Sequence, residues 1–319
     1  MKRSDNEGIV ARGFEAVDLH VREGRFQRWL ALIAGLSSAL SGLEVTYEHY
    51  RGSYSRRVMY TPVILSGALC VAGISGFFSR RAATTALPVV SVITLGDGLL
   101  GFYFHVRGIK RKPGGWRLPV TNMVMGPPVF APLLFGLSAY LGFIAAFLRR
   151  VESDGGILPR PAFTTHWATR AIGDHEPIDW KQDLREGRFQ KQMAIATAIS
   201  AAFSGFEAWY SHYKNNFRYG VQWTPLIVAP MLIAAGLGAV RSPRVAHTYL
   251  PAASALAIVN GTVGFGYHAR GVLRRSGGSK KLLYNIVYGP PIFAPLLFAA
   301  SGFLGLLASL LRREDARHD

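Results

Sequence analysis

Apolar and polar positions fall in long blocks along this chain. Apolar runs cover roughly 28–48, 58–78, 84–106 and 120–148, and then 191–211, 221–240, 247–269 and 283–311. A helix needs about 20 such residues to cross a bilayer, so the pattern predicts eight transmembrane helices. Eight runs of this kind inside a soluble protein would leave almost no polar surface to cover them. The runs are too long, and alternate too little, for a membrane β-barrel.

The pattern also repeats. A displacement of 163 residues brings Ser41-Gly42-Leu43-Glu44 onto Ser204-Gly205-Phe206-Glu207 and Gly126-Pro127-Pro128 onto Gly289-Pro290-Pro291. It also brings Ala131-Pro132-Leu133-Leu134-Phe135 onto Ala294-Pro295-Leu296-Leu297-Phe298. Such matches, in register without a gap, point to duplication and fusion. The expected fold is an all-α integral membrane protein with a four-helix repeat over 1–150, a polar linker over 151–188 and a second four-helix repeat over 189–319. Four spans is an even number, so both repeats take the same orientation about an axis along the membrane normal. The first 25 residues contain no apolar stretch of the signal-peptide kind.

Charge changes the picture little. The net charge is +17 with only 17% charged residues. The cations sit between apolar runs, which fits a polytopic membrane protein and excludes nucleic acid as a partner. The side holding both termini and the linker carries 21 Lys and Arg against 15 on the other. That excess places the termini in the cytoplasm, as in a bacterial inner membrane. The single cysteine, Cys70, excludes an internal disulfide.

Ionisable residues inside spans are costly and therefore mark candidate function. Glu44 and His49 lie late in the first span, and Asp97 and His105 late in the third. Glu207, His212, Asn260 and His268 hold the matching places in the second repeat. The first and third spans run in the same direction, so these residues lie toward one membrane face. Glu44 lies about 7.5 Å below His49 and about 140° away around the helix, so the two do not share a helix face. Tyr47 and Tyr210, three residues after each glutamate, do share its face. The Gly-Pro-Pro segments predict a kink or broken turn in the fourth spans, with Asn122 and Asn285 beside it. Arg107 and Arg270 flank the third spans at the basic loops.

Histidine and carboxylate together suit a transition metal ion, and paired histidines at one depth suit a b-type haem. The first functional expectation is therefore a redox or metal-binding membrane subunit that anchors, or exchanges electrons with, a peripheral or membrane protein partner. A second is a transporter or channel for a cation, proton or small solute. It ranks lower because the early halves of the first and third spans carry no acidic or histidine residue. The third is a structural or assembly membrane protein.

Overall fold

The computed structural model of the chain describes residues 25–151 and 188–310. The expected linker therefore lies outside the described residues, apart from its two end positions. The N-terminal 24 residues and the tail after 310 lie outside them too. Among the described residues there are helices and turns and no strand. The helices are α1 (Arg25–Arg51), α2 (Thr61–Phe78), α3 (Arg80–Thr84), α4 (Ala86–Lys110), α5 (Pro119–Val124) and α6 (Ala131–Val151). They continue with α7 (Arg188–Tyr213), α8 (Thr224–Arg241), α9 (Pro243–His247), α10 (Tyr249–Leu273), α11 (Leu282–Val287) and α12 (Ala294–Leu310).

Local chemistry sets their ends. Pro62 and Pro225 sit in the first turns of α2 and α8, where the missing N–H costs nothing. The Ser79 hydroxyl accepts the Ala82 amide and the Ser242 hydroxyl accepts that of Val245, each at 3.4 Å, capping α3 and α9. The runs 120–148 and 283–311 are broken where the Gly-Pro-Pro segments predict. Each divides into a six-residue helix, a Gly-Pro-Pro segment and a long helix. Consecutive prolines remove two amide donors and drive the residue before each away from helical geometry, so the ladder cannot continue.

Five stretches are long and apolar enough to cross a membrane: Arg25–Arg51, Arg57–Phe78, Arg80–Lys110, Ala131–Arg149 and Gly220–Arg241. Ala294–Leu310 is a shorter apolar helix. α7 and α10 have the length but include more polar positions, Glu207 and Asn260 among them. The distribution of side chains suits an apolar solvent. Ile64, Val71, Phe78 and Leu99 are exposed, while Ser38, Ser66, Ser91, Thr94 and Ser301 are buried. In water the opposite order is the rule; in lipid, small and hydroxylated residues belong between helices.

Contacts close each half into a ring. α1 packs on α2, α2 on α4, α4 on α6 and α6 on α1. In the second half α7, α8, α10 and α12 form the same ring. The halves meet where α6 touches α7 and α12, and where α11 touches α1. Glycine sets the closest approaches. A Cβ on Gly73 would stand 2.5 Å from the Ala31 carbonyl oxygen and 2.7 Å from the Gly35 Cα, so α1 and α2 touch backbone to backbone. A Cβ on Gly98 of α4 would stand 2.8 Å from the Pro132 carbonyl oxygen, and one on Gly261 of α10 2.5 Å from that of Pro295. These glycines let α4 and α10 dock against the helices that follow the breaks.

The expected outcome of Gly98→Ala is a loss of about 1–3 kcal/mol, the usual cost of overpacking. A Cβ on Gly96, two residues earlier, meets nothing within 4 Å. Gly96→Ala should therefore leave stability within about 0.5 kcal/mol. Thermal unfolding of the detergent-purified variants checks both, and equal midpoints for the two would overturn the packing argument.

Candidate functional site

The site starts from the donors of α6. A helix begins with amides that have no partner within it. Here Pro132 supplies none, and the Leu133 and Leu134 amides turn back to the Phe130 carbonyl at 2.9 and 3.0 Å. Phe130 and Ala131 are left, and both face one carboxylate, that of Glu207 on α7. The Phe130 amide donates to Glu207 Oε1 at 2.5 Å. A glutamate of the second half thus caps a broken helix of the first. The carboxylate also meets the positive end of the α6 dipole, which favours an anion there.

The same contact exists with the halves exchanged. Glu44 on α1 faces the Phe293 amide at the start of α12. Its fit is looser: Glu44 Oε2 is buried and makes no hydrogen bond. Tyr47 is 7% exposed, and its buried hydroxyl lies against the Glu44 carboxylate and the Ile292 amide. At the other end Tyr210 is 4% exposed and sits beside Glu207. The aromatic packing differs as well. Phe130 stacks on Phe203 at 4.4 Å and meets Phe206 edge-on at 5.2 Å. The matching residues on α1 are Leu40 and Leu43, aliphatic side chains that offer no ring to stack.

The histidines do a different job. His49 Nδ1 bonds the Met59 carbonyl at 2.7 Å and His212 Nδ1 that of Gln222 at 2.8 Å. His105 Nδ1 bonds the Pro128 carbonyl and His268 Nδ1 that of Pro291, both at 2.5 Å. A carbonyl only accepts, so Nδ1 carries the proton in all four rings and Nε2 keeps its lone pair. His49 and His105 lie within electrostatic reach of each other, as do His212 and His268. Asp97 lies within reach of His49, and its Oδ1 accepts the Thr61 hydroxyl at 2.6 Å. Asn260 keeps that contact by donating to the Thr224 hydroxyl at 2.7 Å.

The eight candidates therefore separate. Glu44 and Glu207 leave their own bundles and join the two halves. The histidines, Asp97 and Asn260 stay within their bundles and tie helix ends to loops. Asn122 bonds the Pro113 and Gly115 carbonyls at 3.0 and 2.7 Å, and Asn285 those of Ser276 and Gly278 at 3.4 and 3.1 Å. Both hold turns whose glycines, Gly114 and Gly277, have φ of 78° and 86°. Arg107 and Arg270 are exposed. Among the described residues no group of three or more His, Cys, Asp and Glu is placed to hold a metal ion.

Two features are absent from the sequence reading. One is Lys214, which lies 5.2 Å over the Tyr210 ring near Glu207 and Glu48. Burial draws its ammonium below the ordinary lysine value, and those carboxylates pull the other way. The other is a polar row along α7. Gln190, Thr197, Ser200 and Ser204 are buried and lead to Glu207 at helical spacing. Ser200 and Ser204 meet Ser301 of α12 at 2.6 and 3.3 Å. Spacings of seven, three, four and three residues are the signal that finds it; single serines in an apolar span raise none.

Glu207→Ala leaves the Phe130 and Ala131 amides without an acceptor in an apolar setting. The expected loss is about 1.5–3 kcal/mol, that of a charged hydrogen bond. Glu207→Gln keeps one acceptor oxygen and should fall between the wild type and Ala. Hydrogen exchange at the start of α6 checks the order, and unchanged protection in the alanine variant would refute the cap.

No protein-family model, curated protein or solved structure matches this chain, so its chemistry is read from its own residues.

Proposed function

We propose that the protein is an eight-span membrane transporter or channel, built from two tandem repeats of one orientation, that passes a small solute or ion along the contact between them. The repeat is supported by the residue matches at 163 and by α2, α4, α6, α8, α10 and α12, whose first residues keep that spacing. The excess of Lys and Arg beside the termini supports their placing in the cytoplasm.

The observation that carries the transport reading is the buried polar row on α7. It runs from Gln190 to Glu207, most of the length of the helix; Ser200 and Ser204 face α12 of the same half, and Glu207 at its end reaches the other half. The early halves of the first and third spans lack acidic and histidine residues, but they are not without polar groups. Gln27, Gln190 and Arg149 are buried at that end. The Ser41, Ser91, Thr94 and Ser254 hydroxyls are buried with no hydrogen-bond partner. Those four hydroxyls, lacking a protein partner, are places where water or a passing solute would be held.

Reconstitution into liposomes tests it. Flux of potassium, protons or chloride should exceed that of empty vesicles. The double variant Ser200→Val, Ser301→Val should cut it by about tenfold, because a moving polar species then loses solvation worth roughly 1–3 kcal/mol. No flux of any solute from a well-folded sample would reject transport and favour an assembly role.

The redox reading keeps one observation of its own, the four histidines whose Nδ1–H is held by a carbonyl while Nε2 is left for a ligand, as metal-binding imidazoles are commonly arranged. A Soret band in the purified protein, lost in His105→Ala with His268→Ala, would establish it. Its absence after incubation with haemin would dismiss haem.

A further inference from the structure

We infer that Glu44 is a proton-binding site: its carboxyl takes up and releases a proton at the contact between the halves, while Glu207, at the matching place, stays ionised. That this proton is linked to the passage of a solute rests on the transport reading; the site itself does not.

The two equivalent glutamates differ in three ways. The first is the amides. Glu207 faces those of Phe130 and Ala131, whereas Glu44 faces that of Phe293 alone. Glu44 Oε2 is buried without a hydrogen bond. The second is the cation. Lys214, seven residues after Glu207, lies within its electrostatic reach. Seven residues after Glu44 stands Arg51, whose Nη1 donates to Glu48 Oε1 at 3.0 Å. Glu48 thus engages this cation and sets a like charge one turn from Glu44. Ser211, in the place of Glu48, has no charge of its own. The third is the hydroxyl one turn deeper. Ser204 meets Ser301 at 3.3 Å, whereas the matching Ser41 hydroxyl is buried with no partner.

Among the described residues, Glu48 and Tyr47 of its own helix and the Phe293 amide face Glu44, with no cation. Against α1, α2 brings only Cys70 as a titratable group and α11 only Tyr284. α6 brings Tyr140 and the arginines at its far end, and α12, whose start Glu44 faces, brings none. A carboxylate buried in an apolar setting with too few donors neutralises itself by binding a proton. A route is present for it. Glu48 lies about 6 Å nearer the loop face, and its side chain is 36% exposed, so it meets water. Ser41, about 4.5 Å deeper, is a place for a water on the inner side of the carboxyl. A proton taken from water gives the neutral acid, and its return to water restores the carboxylate. Neutral Glu44 is a weaker acceptor for the Phe293 amide and no longer opposes the α12 dipole with a charge. Protonation therefore loosens the α12 end of the contact and leaves Glu207 holding α6.

The test uses the full-length protein in liposomes. Between about pH 6 and 9 solvated carboxyls are already ionised. An infrared difference spectrum across that range should show the C=O stretch of a protonated carboxyl. Glu44→Gln should remove the band, and Glu207→Gln should leave it. If Glu44→Gln fails to fold, dicyclohexylcarbodiimide serves with the unaltered chain. It adds only to a protonated carboxyl. The acid proton moves to one carbodiimide nitrogen and the carboxyl oxygen bonds the central carbon; an oxygen-to-nitrogen acyl shift then leaves a stable acylurea. Peptide mass spectrometry should find the adduct on Glu44, less of it as pH rises, and none on Glu207. No band that depends on Glu44, or no adduct on it, overturns the inference. A band or adduct at Glu44 without flux of potassium, protons or chloride keeps the site and rejects transport. Flux with neither keeps transport and overturns the site. Where both are found, flux should vary with pH in the wild type and lose that dependence in Glu44→Gln; flux that keeps it overturns the link to transport.

Discussion

The architecture depends on a helix end that cannot satisfy itself. Each Gly-Pro-Pro break leaves the start of the apolar helix that follows with amides pointing at no residue of its own bundle. In water such amides would be solvated; in hydrocarbon each unpaired group costs several kcal/mol. The acceptor comes from the other half: Glu207 for α6 and Glu44 for α12. A carboxylate is equally costly to bury without a partner. Two liabilities, neither tolerable within one bundle, cancel across the contact between bundles. That exchange explains why the glutamates stand on the first helix of each half and the breaks before the last.

Close packing makes the exchange possible. The helix after each break must lie near its neighbours for its start to reach the glutamate. Gly98 and Gly261 bring α4 and α10 onto the Pro132 and Pro295 backbones. Gly108 and Gly271 seat the Pro127 and Pro290 rings at 3.4 and 3.2 Å from where a Cβ would stand. The histidines then fasten the break, since His105 and His268 bond the carbonyl of the second proline. Glycine, proline, histidine and glutamate therefore act as one assembly, and the Gly-Pro-Pro segment is the part through which each of the others works.

Much of this is legible in the sequence. Block hydropathy shows helices and a membrane setting, and the prolines mark where the fourth runs divide. The glutamates and histidines stand out because charge in an apolar run is rare. What is not legible is which of them act together. Glu44 and His49 are five residues apart, and the angle between them says only that they face different ways. It does not say that one faces the other half and the other a loop carbonyl. The acceptors and donors they meet are backbone groups of Met59, Pro128 and Phe293, which no side-chain motif advertises. The α7 row is hidden for another reason: serine and threonine barely lower hydropathy, and their spacing matters only once the helix has a neighbour.

The two halves also differ at their matching ends. At the α6 end the carboxylate meets two amides, and Phe203 and Phe206 close over Phe130. At the α12 end the places of those rings are taken by the aliphatic Leu40 and Leu43, and Glu44 Oε2 is buried without a hydrogen bond. The change from Asp97 to Asn260 marks a second divergence, keeping a contact to threonine while dropping a charge. Mutual support of the two halves alone gives no reason to leave one of two matching caps incomplete. An incompletely held carboxylate is costly in an apolar interior, and it is found at one end only. That asymmetry assigns the firmer structural closure to the α6 end, where two amides and two rings hold one carboxylate.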